Sequence, residues 1–302
     1  MRALIVDPEA EDGVRLGEVE EPSPGPEQLV VEVRHVSLNR GDLNDARSGR
    51  VPPGAALGSD VAGVVTVAAA DGQGPEVGAR VVGLAQGAFA QRCAVDAGMV
   101  AAVPTEVDLA VAAALPVAGL AAFRALRAGG VGPGRRVLVT GASGGVGRFA
   151  VQLAAVAGAH VIAAVGSEAR RAGLAEAGAS EVVVGLEQVA APVDVVVENV
   201  GGPLLVAAWG LLAPGGSLQS VGWTSGEPAV FPPYSTIGPA KSLTSFLIEG
   251  PVGADLAALV DLVAAGRLDV PIGWRGPWHD LAAAASALRD RRVDGKAVLD
   301  VG

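Results

Sequence analysis

Arg136-Val-Leu-Val-Thr140, then Gly141-Ala-Ser-Gly-Gly-Val-Gly147, then the apolar run to Ala157 is the stretch that decides the fold. Arg136–Thr140 reads as a buried strand and Gly145–Ala157 as an apolar helix, with the glycines at the turn between them. A glycine motif alone says little; between a strand and a helix it is specific. Such a loop must turn sharply, admit a pyrophosphate to backbone N–H groups, and let the helix pack close on the strand. The helix N-terminus adds the positive end of its dipole. In the Gly-x-Gly-x-x-Gly register the first position is Ala142, followed by Gly144 and Gly147. Ser143, Gly144, Gly145, Val146 and Gly147 are therefore the expected contacts to a nicotinamide dinucleotide. The alternative is an ordinary glycine-rich strand-to-helix turn.

Downstream, strands and helices alternate. His160–Val165 reads as a second strand and Ser167–Ala177 as a helix capped by Ser167. Glu181–Val184, Val193–Val197, Ser217–Val221 and Ser242–Ile248 read as further strands, which predicts a doubly wound parallel sheet. Only Gly185 to Pro192 separates two of these strands, short for a crossover helix. Either a single helical turn lies there or one strand is misassigned. Upstream, Leu29–Val36, Val61–Ala68 and Arg80–Leu84 are Val-rich runs between Pro, Gly and Asp turns, expected to form a compact barrel or curled sheet. After Pro251 an amphipathic helix, Asp255–Ala265, precedes a last strand, Lys296–Val301. That strand is expected to return to the first domain and make it discontinuous.

The chain has 302 residues, half of them apolar and 18% charged, with a net charge of −10. That suits two globular domains and argues against a nucleic-acid surface, which needs clustered Lys and Arg. The single cysteine, Cys93, rules out an intrachain disulfide and fits a reducing compartment. The longest apolar stretch, Leu109 to Phe123, is short for a membrane span and is broken by Pro116 and Gly119. It is read as buried helix and loop. The N-terminus lacks a signal-peptide core, so a cytoplasmic location is expected, with neither membrane nor nucleic acid as partner.

The end of the second strand predicts NADPH over NADH. NAD-binding domains place an acid there, whereas His160–Val165 runs into Gly166-Ser167. Gly166 leaves room for a 2′-phosphate, and Ser167 offers a hydroxyl and a helix-start N–H. Arg170 and Arg171 follow, as phosphate ligands or as solvated helix-face residues. Glu168 is the counter-argument, since an acid reaching the ribose would reverse the preference. It is placed in the first helical turn, pointing away.

Several further stretches carry a family resemblance: Ser37-Leu-Asn-Arg-Gly-Asp42, Leu57-Gly-Ser-Asp-Val-Ala-Gly-Val-Val65, Gly78-Ala-Arg-Val-Val-Gly83, Ala114-Leu-Pro-Val-Ala-Gly-Leu120, Glu198-Asn-Val-Gly-Gly202, Leu212-Ala-Pro-Gly-Gly216 and Gly295-Lys-Ala-Val-Leu299. With the glycine loop they resemble the zinc-free quinone oxidoreductase (zeta-crystallin-like) branch of the medium-chain dehydrogenase/reductase superfamily. The resemblance implies an α/β protein with two domains. A GroES-like β-barrel catalytic domain is expected over residues 1–112 and 249–302, and a Rossmann domain with a doubly wound parallel sheet over 113–248, with the active cleft between them. It implies NADPH-dependent hydride transfer, without zinc, to a quinone or an α,β-unsaturated carbonyl of a small-molecule substrate. Alternatives are a tailoring enoyl or enone reductase of one secondary-metabolic pathway and a non-catalytic NADPH-binding protein.

Zinc members of the superfamily hold the metal through a Cys where this chain has Asn39 and a His where it has Ser59. A four-cysteine zinc lobe is impossible with one cysteine. His35, His160 and His279 are too scattered for a metal site. By resemblance Asn39 lies near the nicotinamide as a hydrogen-bond donor; the other reading is an Asn that ties down its own loop. Asp42 is expected to anchor that loop, and Asp60 to orient backbone or an arginine. Arg170 matches a position often basic in NADPH-dependent members. Asn199 and Val200 are expected below the nicotinamide ribose, and Val221 and Gly222 at the carboxamide. Phe246, Leu247 and Ile248 would line the far side of the nicotinamide, or else be plain strand core. Two departures make the pocket floor less aromatic and less polar: Asn44 where a tyrosine is frequent, and Ala121 where a threonine is. Tyr234, in Phe231-Pro-Pro-Tyr-Ser235, is the candidate general acid, or a loop tyrosine with a packed ring. The apolar edge at Ser242–Ile248 predicts a homodimer; in the family it joins two subunits into one sheet.

Overall fold

The computed structural model describes residues 1–10 and 12–302. In chain order the strands and helices are β1 (Arg2–Val6), β2 (Val14–Glu18), β3 (Gln28–Leu38), α1 (Arg40–Ser48), β4 (Asp60–Val67), β5 (Arg80–Leu84), β6 (Arg92–Asp96), β7 (Val100–Ala102), α2 (Leu109–Ala113) and α3 (Pro116–Ala128). They continue with β8 (Arg136–Thr140), α4 (Gly145–Val156), β9 (His160–Val165), β10 (Glu181–Val184), β11 (Val193–Glu198), α5 (Gly202–Leu211), β12 (Leu212–Ser220) and β13 (Ser242–Ser245). The chain closes with α6 (Gly253–Ala264), β14 (Ile272–Pro277), α7 (Leu281–Arg289) and β15 (Lys296–Asp300). Two compact units result: Met1–Leu120 with Glu249–Gly302, and Ala121–Ile248. The first boundary falls within α3, eight residues beyond the expected one.

In the first unit, seven strands join in the order β14-β15-β3-β4-β5-β7, with β6 also on β3. All pairings are antiparallel except β14 with β15. The eleven-residue β3 organises this sheet. β4 takes one edge; β6 and β15 share the other, β6 beside Gln28–Glu32 and β15 beside His35–Leu38. Leu4, Val31, Leu38, Phe89, Val95, Ala285 and Leu299 are among the buried residues of the core. The last strand thus pairs within the first unit, because Ala297 and Val298 register against Leu38 and Ser37.

The second unit is a six-stranded parallel sheet, β10-β9-β8-β11-β12-β13. Val137–Val139, Val161–Ala163 and Val195–Val197 are fully buried, as expected for central strands covered on both faces. The chain steps outward from β8 through β9 to β10, then crosses to β11 on the other side of β8. The crevice at the C-terminal ends of β8 and β11 is therefore the topological switch point, where open α/β sheets bind ligands.

Two readings need correction here, and one open alternative is decided. The helix expected over Ser167–Ala177 is only a 3-10 turn, Glu168–Arg170, and Ser167 makes no side-chain cap. Turns follow, with Gly173 at φ +73° just before buried Leu174. The short Gly185–Pro192 link holds a single 3-10 turn, Leu186–Gln188. It has to pass the ends of β9 and β8 to reach β11, so the crossing is made by a mostly extended segment with one turn and no helix. The last strand stops at Ser245 instead of Ile248. Its pairing with β12 ends at Ser220↔Ser245, after which the N–H groups of Val221 and Gly222 turn to the Glu198 carbonyl at 2.8 and 3.1 Å.

Candidate active site

The glycine loop leaves β8 through Gly141, at φ +57°. Its Gly144 N–H bonds back to the Gly141 carbonyl at 3.0 Å, and Gly144 is the N-cap of α4. Gly147 is buried against the loop itself. A Cβ there would lie 2.3 Å from the Gly141 oxygen and 2.6 Å from Ala142 Cα, so the close helix–strand approach belongs to the folded loop before any ligand arrives. Gly166, at the end of β9, is the opposite case: nothing lies within 4 Å of where its Cβ would be.

Around that space, Arg170 Nη1 lies 3.5 Å from the Oγ of buried Ser143. The turn after β9 therefore brings its arginine back to the glycine loop. The Glu168 side chain is 75% exposed and pairs with Arg171 at 3.3 Å. Ser167 is exposed beside Gly166.

A buried network fixes the other half of the switch point. Glu198, fully buried at the end of β11, accepts Thr140 Oγ–H at 2.9 Å, the Val200 N–H at 3.0 Å and the Gly201 N–H at 2.8 Å. Thr140 Oγ in turn accepts the Asn199 N–H at 2.9 Å, and Asn199 Nδ2 donates to the Thr140 carbonyl at 2.9 Å. Burial pushes the Glu198 carboxyl above the usual carboxylate range, against the lowering effect of these three donors. The network ties the strand end that carries Asn199 and Val200 to the residue before the glycine loop. Asn199 Oδ1 is buried with no hydrogen-bond partner, an acceptor that a ligand hydroxyl would satisfy. The Val221 and Gly222 N–H groups are already committed to Glu198, so any contact they make must use other atoms. Phe246, Leu247 and Ile248 lie beyond β13 and are not strand core; Leu247 is 74% exposed. Tyr234 is 81% exposed at φ +67°, so its ring is not packed in the loop.

In the first unit, three strand ends meet. Asn39 follows β3, Asp60 begins β4 and Lys296 begins β15. Ser37↔Asp60 and Leu38↔Ala297 are register pairs, which sets the three side chains together. Lys296 Nζ, only 3% exposed, donates to Asn39 Oδ1 at 2.5 Å and to Asp60 Oδ2 at 3.2 Å. Asn39 Nδ2 donates to Asp60 Oδ2 at 3.0 Å and to the Ser37 carbonyl at 3.3 Å. Asp60 Oδ1 accepts the Val117 N–H at 2.8 Å. Asp42 accepts the Asn39 N–H at 2.7 Å and the Ser59 hydroxyl at 3.0 Å. Burial, with the Asp60 charge adding to it, pushes Asp42 up to about 7. Both amide hydrogens of Asn39 are thus engaged within the chain, so it holds the loop together rather than offering a free donor. Asp42 anchors the same loop; Asp60 orients backbone and a lysine.

These residues do not fit zinc. Asn39 Oδ1 holds an ammonium, Ser59 Oγ holds a carboxylate, and no three His, Cys, Asp or Glu side chains among the described residues gather as metal ligands. Lys296 and Glu198 escaped the sequence reading. The available signals were a lysine opening an apolar strand in Gly295-Lys-Ala-Val-Leu299 and an acid closing the run Val193–Glu198.

Residues 25–105 match the alcohol dehydrogenase GroES-like domain and residues 145–265 the zinc-binding dehydrogenase family. The chain is 34% identical over 289 residues to the spectinabilin polyketide synthase system protein NorB of Streptomyces orinoci, covering 91% of this chain and 13% of that one. It is 34% identical over 220 residues to prostaglandin reductase-3 of Bos taurus, covering 68% and 58%. The chain therefore spans only part of these relatives. The structure of mycobacterial Rv1454c complexed with NADPH matches at TM-score 0.87 and 27% identity over 99% of both chains. The quinone oxidoreductase of Coxiella burnetii shares the fold at TM-score 0.88 and 24% identity, covering 100% of this chain and 99% of that one. A GroES-like domain followed by a Rossmann-type sheet, each matched by its family, places the chain in the medium-chain dehydrogenase/reductase superfamily.

Proposed function

We propose that this protein is an NADPH-dependent reductase of quinones or α,β-unsaturated carbonyls that works without zinc. The observation that carries the cofactor assignment is the end of β9: open space at Gly166, Arg170 drawn to Ser143 of the glycine loop, and Glu168 turned away to Arg171. The residues present suit the dinucleotide: a glycine loop at a helix start, open space at Gly166, and a buried Asn199 Oδ1 in want of a donor.

Bound NADPH would supply the hydride. The N–H groups of Ser143, Gly145, Val146 and Gly147 at the start of α4 would hold the pyrophosphate, with Gly144, its own N–H turned back to Gly141, letting the backbone approach. Gly166, Ser167 and Arg170 would hold the 2′-phosphate. A guanidinium offers that group two parallel hydrogen bonds, and an acid there would repel it. Asn199 would accept from a ribose hydroxyl, with Val200 beside it. Val221, Gly222, Phe246, Leu247 and Ile248 complete the proposed nicotinamide surroundings. The Asn39–Asp60–Lys296 cluster has a positioning role: it locks three strand ends and fills with an internal cation the place a metal would take. Tyr234, in solvent, is not retained as the acid.

The test is NADPH oxidation with a panel of quinones and cyclic and acyclic enones, on untagged protein analysed for metal. Turnover of at least one class without stoichiometric zinc supports the reading; near-stoichiometric zinc overturns its metal-free part. Tight NADPH binding with no acceptor reduced would instead favour a binding protein. The similarity to NorB across 91% of the chain favours a second reading, a tailoring reductase acting on a polyketide-like enone. Preference for extended conjugated enones over simple quinones would select it.

A further inference from the structure

We propose that Trp223 is the platform on which the acceptor lies, which makes it a specificity-determining residue for flat, conjugated rings. The inference rests on the reductase reading and deepens it. Trp223 follows Gly222 three residues beyond the end of β12, and its ring lies across Gly201. Three ring carbons fall 2.6 to 2.8 Å from where a Gly201 Cβ would stand. Gly201 also sits at φ +76°, so glycine is required there twice, by the backbone and by the ring.

The indole is fixed from several sides. Its N–H donates to the Glu227 carbonyl at 2.6 Å, within its own loop. That loop is strapped to the Asn199–Val200 strand end: the Ser225 N–H bonds the Val200 carbonyl at 2.8 Å, and Thr224 Oγ donates to the Asn199 carbonyl at 3.2 Å. The one polar atom of the ring is therefore engaged, and what remains is hydrocarbon and π surface. Trp223 is nevertheless 48% exposed. The ring rests on the Gly201 backbone and leaves much of its surface open. It is the only aromatic residue in segments 198–202 and 221–227, which also carry Asn199, Val200 and Gly222. An indole already held in place loses little freedom when a ligand stacks on it. A planar quinone or aryl enone gains from that surface, whereas a short aliphatic enone has little to stack.

The probe is 1,4-naphthoquinone, added to the protein with and without NADP⁺, with 2-cyclohexen-1-one as the small comparison acceptor. The chain has four tryptophans, so the emission of wild type minus Trp223→Phe isolates Trp223. Saturable quenching of that difference signal is expected. Trp223→Ala should raise KM for naphthoquinone about fivefold, within the range of an aromatic stacking contact. The ratio of kcat/KM for naphthoquinone to that for cyclohexenone should fall, and Trp223→Phe should restore most of it. An unquenched difference signal overturns the proposal. So does a loss of NADPH affinity as large as the quinone effect, which would make the ring part of the cofactor site. A change in oligomeric state with quinone binding intact also overturns it, by assigning the ring to a subunit contact. If wild type oxidises no NADPH with any acceptor, the reductase reading fails; quenching at Trp223 without cofactor still decides the platform by itself.

Discussion

Replacing Arg170 by alanine isolates the phosphate-selecting half of the site. In the structure the guanidinium is half-buried and reaches the glycine loop at Ser143, while the acid that could compete for the ribose is paired with Arg171. A charge-assisted hydrogen bond contributes roughly 1.5–3 kcal/mol. Partial exposure screens the charge, so the lower end applies. A loss of about 1.5 kcal/mol is roughly a tenfold weaker Kd for NADPH. NADH lacks the 2′-phosphate, and its Kd should move less than about twofold, well under 0.5 kcal/mol. Arg170→Lys keeps a point charge but loses the planar fork, so its NADPH affinity should fall between wild type and Arg170→Ala. The difference should shrink as ionic strength rises and the Debye length contracts. Titration of each cofactor, followed by nicotinamide fluorescence or by calorimetry, reads all of these. Tighter binding of NADH than NADPH by wild type would refute the reasoning. Equal losses for both cofactors in Arg170→Ala would refute it too, since the arginine would then be supporting the loop.

Gly147→Ala places a methyl within 2.3 Å of the Gly141 carbonyl and should destabilise by about 1–3 kcal/mol through overpacking; a melting curve and an NADPH titration check it, and an unchanged melting temperature rejects it. Lys296→Met leaves the fully buried Asp60 carboxylate without its cation and should cost about 3–5 kcal/mol in urea unfolding, partly recovered by adding Asp60→Asn; a loss below about 1 kcal/mol would contradict a buried pair. Asp42 sits at about 7 when folded against an ordinary 3.8, so the folded chain keeps a proton that the unfolded chain has released. Its contribution is fully present below about pH 3.8 and is lost as pH rises through about 7. The urea midpoint should accordingly drop between pH 5 and pH 8 in wild type, and by less in Asp42→Asn. Strand β13 is an exposed sheet edge with Leu243 at 44% exposure; light scattering should report a dimer, and Leu243→Lys a monomer, whereas a monomeric wild type removes the premise.

The alternation of strand and helix after residue 135, the glycine loop and the limits of β8, β9 and β10 were all legible in the sequence. Each is a local matter: continuous Val-rich runs, a turn that only small residues permit, and a helix start beside it. So was the missing acid after β9, because it depends on residue type at a fixed spacing. The helix expected at Ser167–Ala177 gives way to a 3-10 turn and then a left-handed Gly173, ahead of a Leu174 that the fold must bury. A propensity pattern does not contain that requirement. The short link before β11 could not be resolved from sequence either, since what it must cross follows from strand order. The buried clusters were least visible. Asn39, Asp60 and Lys296 are separated by up to 257 positions, and only the pairing of β3 with β4 and β15 brings their charges into contact. Glu198 looks like any strand-ending acid until the fold buries it under three donors. Local chemistry along the chain carries the proposal for the cofactor and for the motif that would hold it. Which polar side chains are desolvated, and therefore must pair, was decided by tertiary structure, because burial belongs to the packed fold and not to any one stretch of sequence.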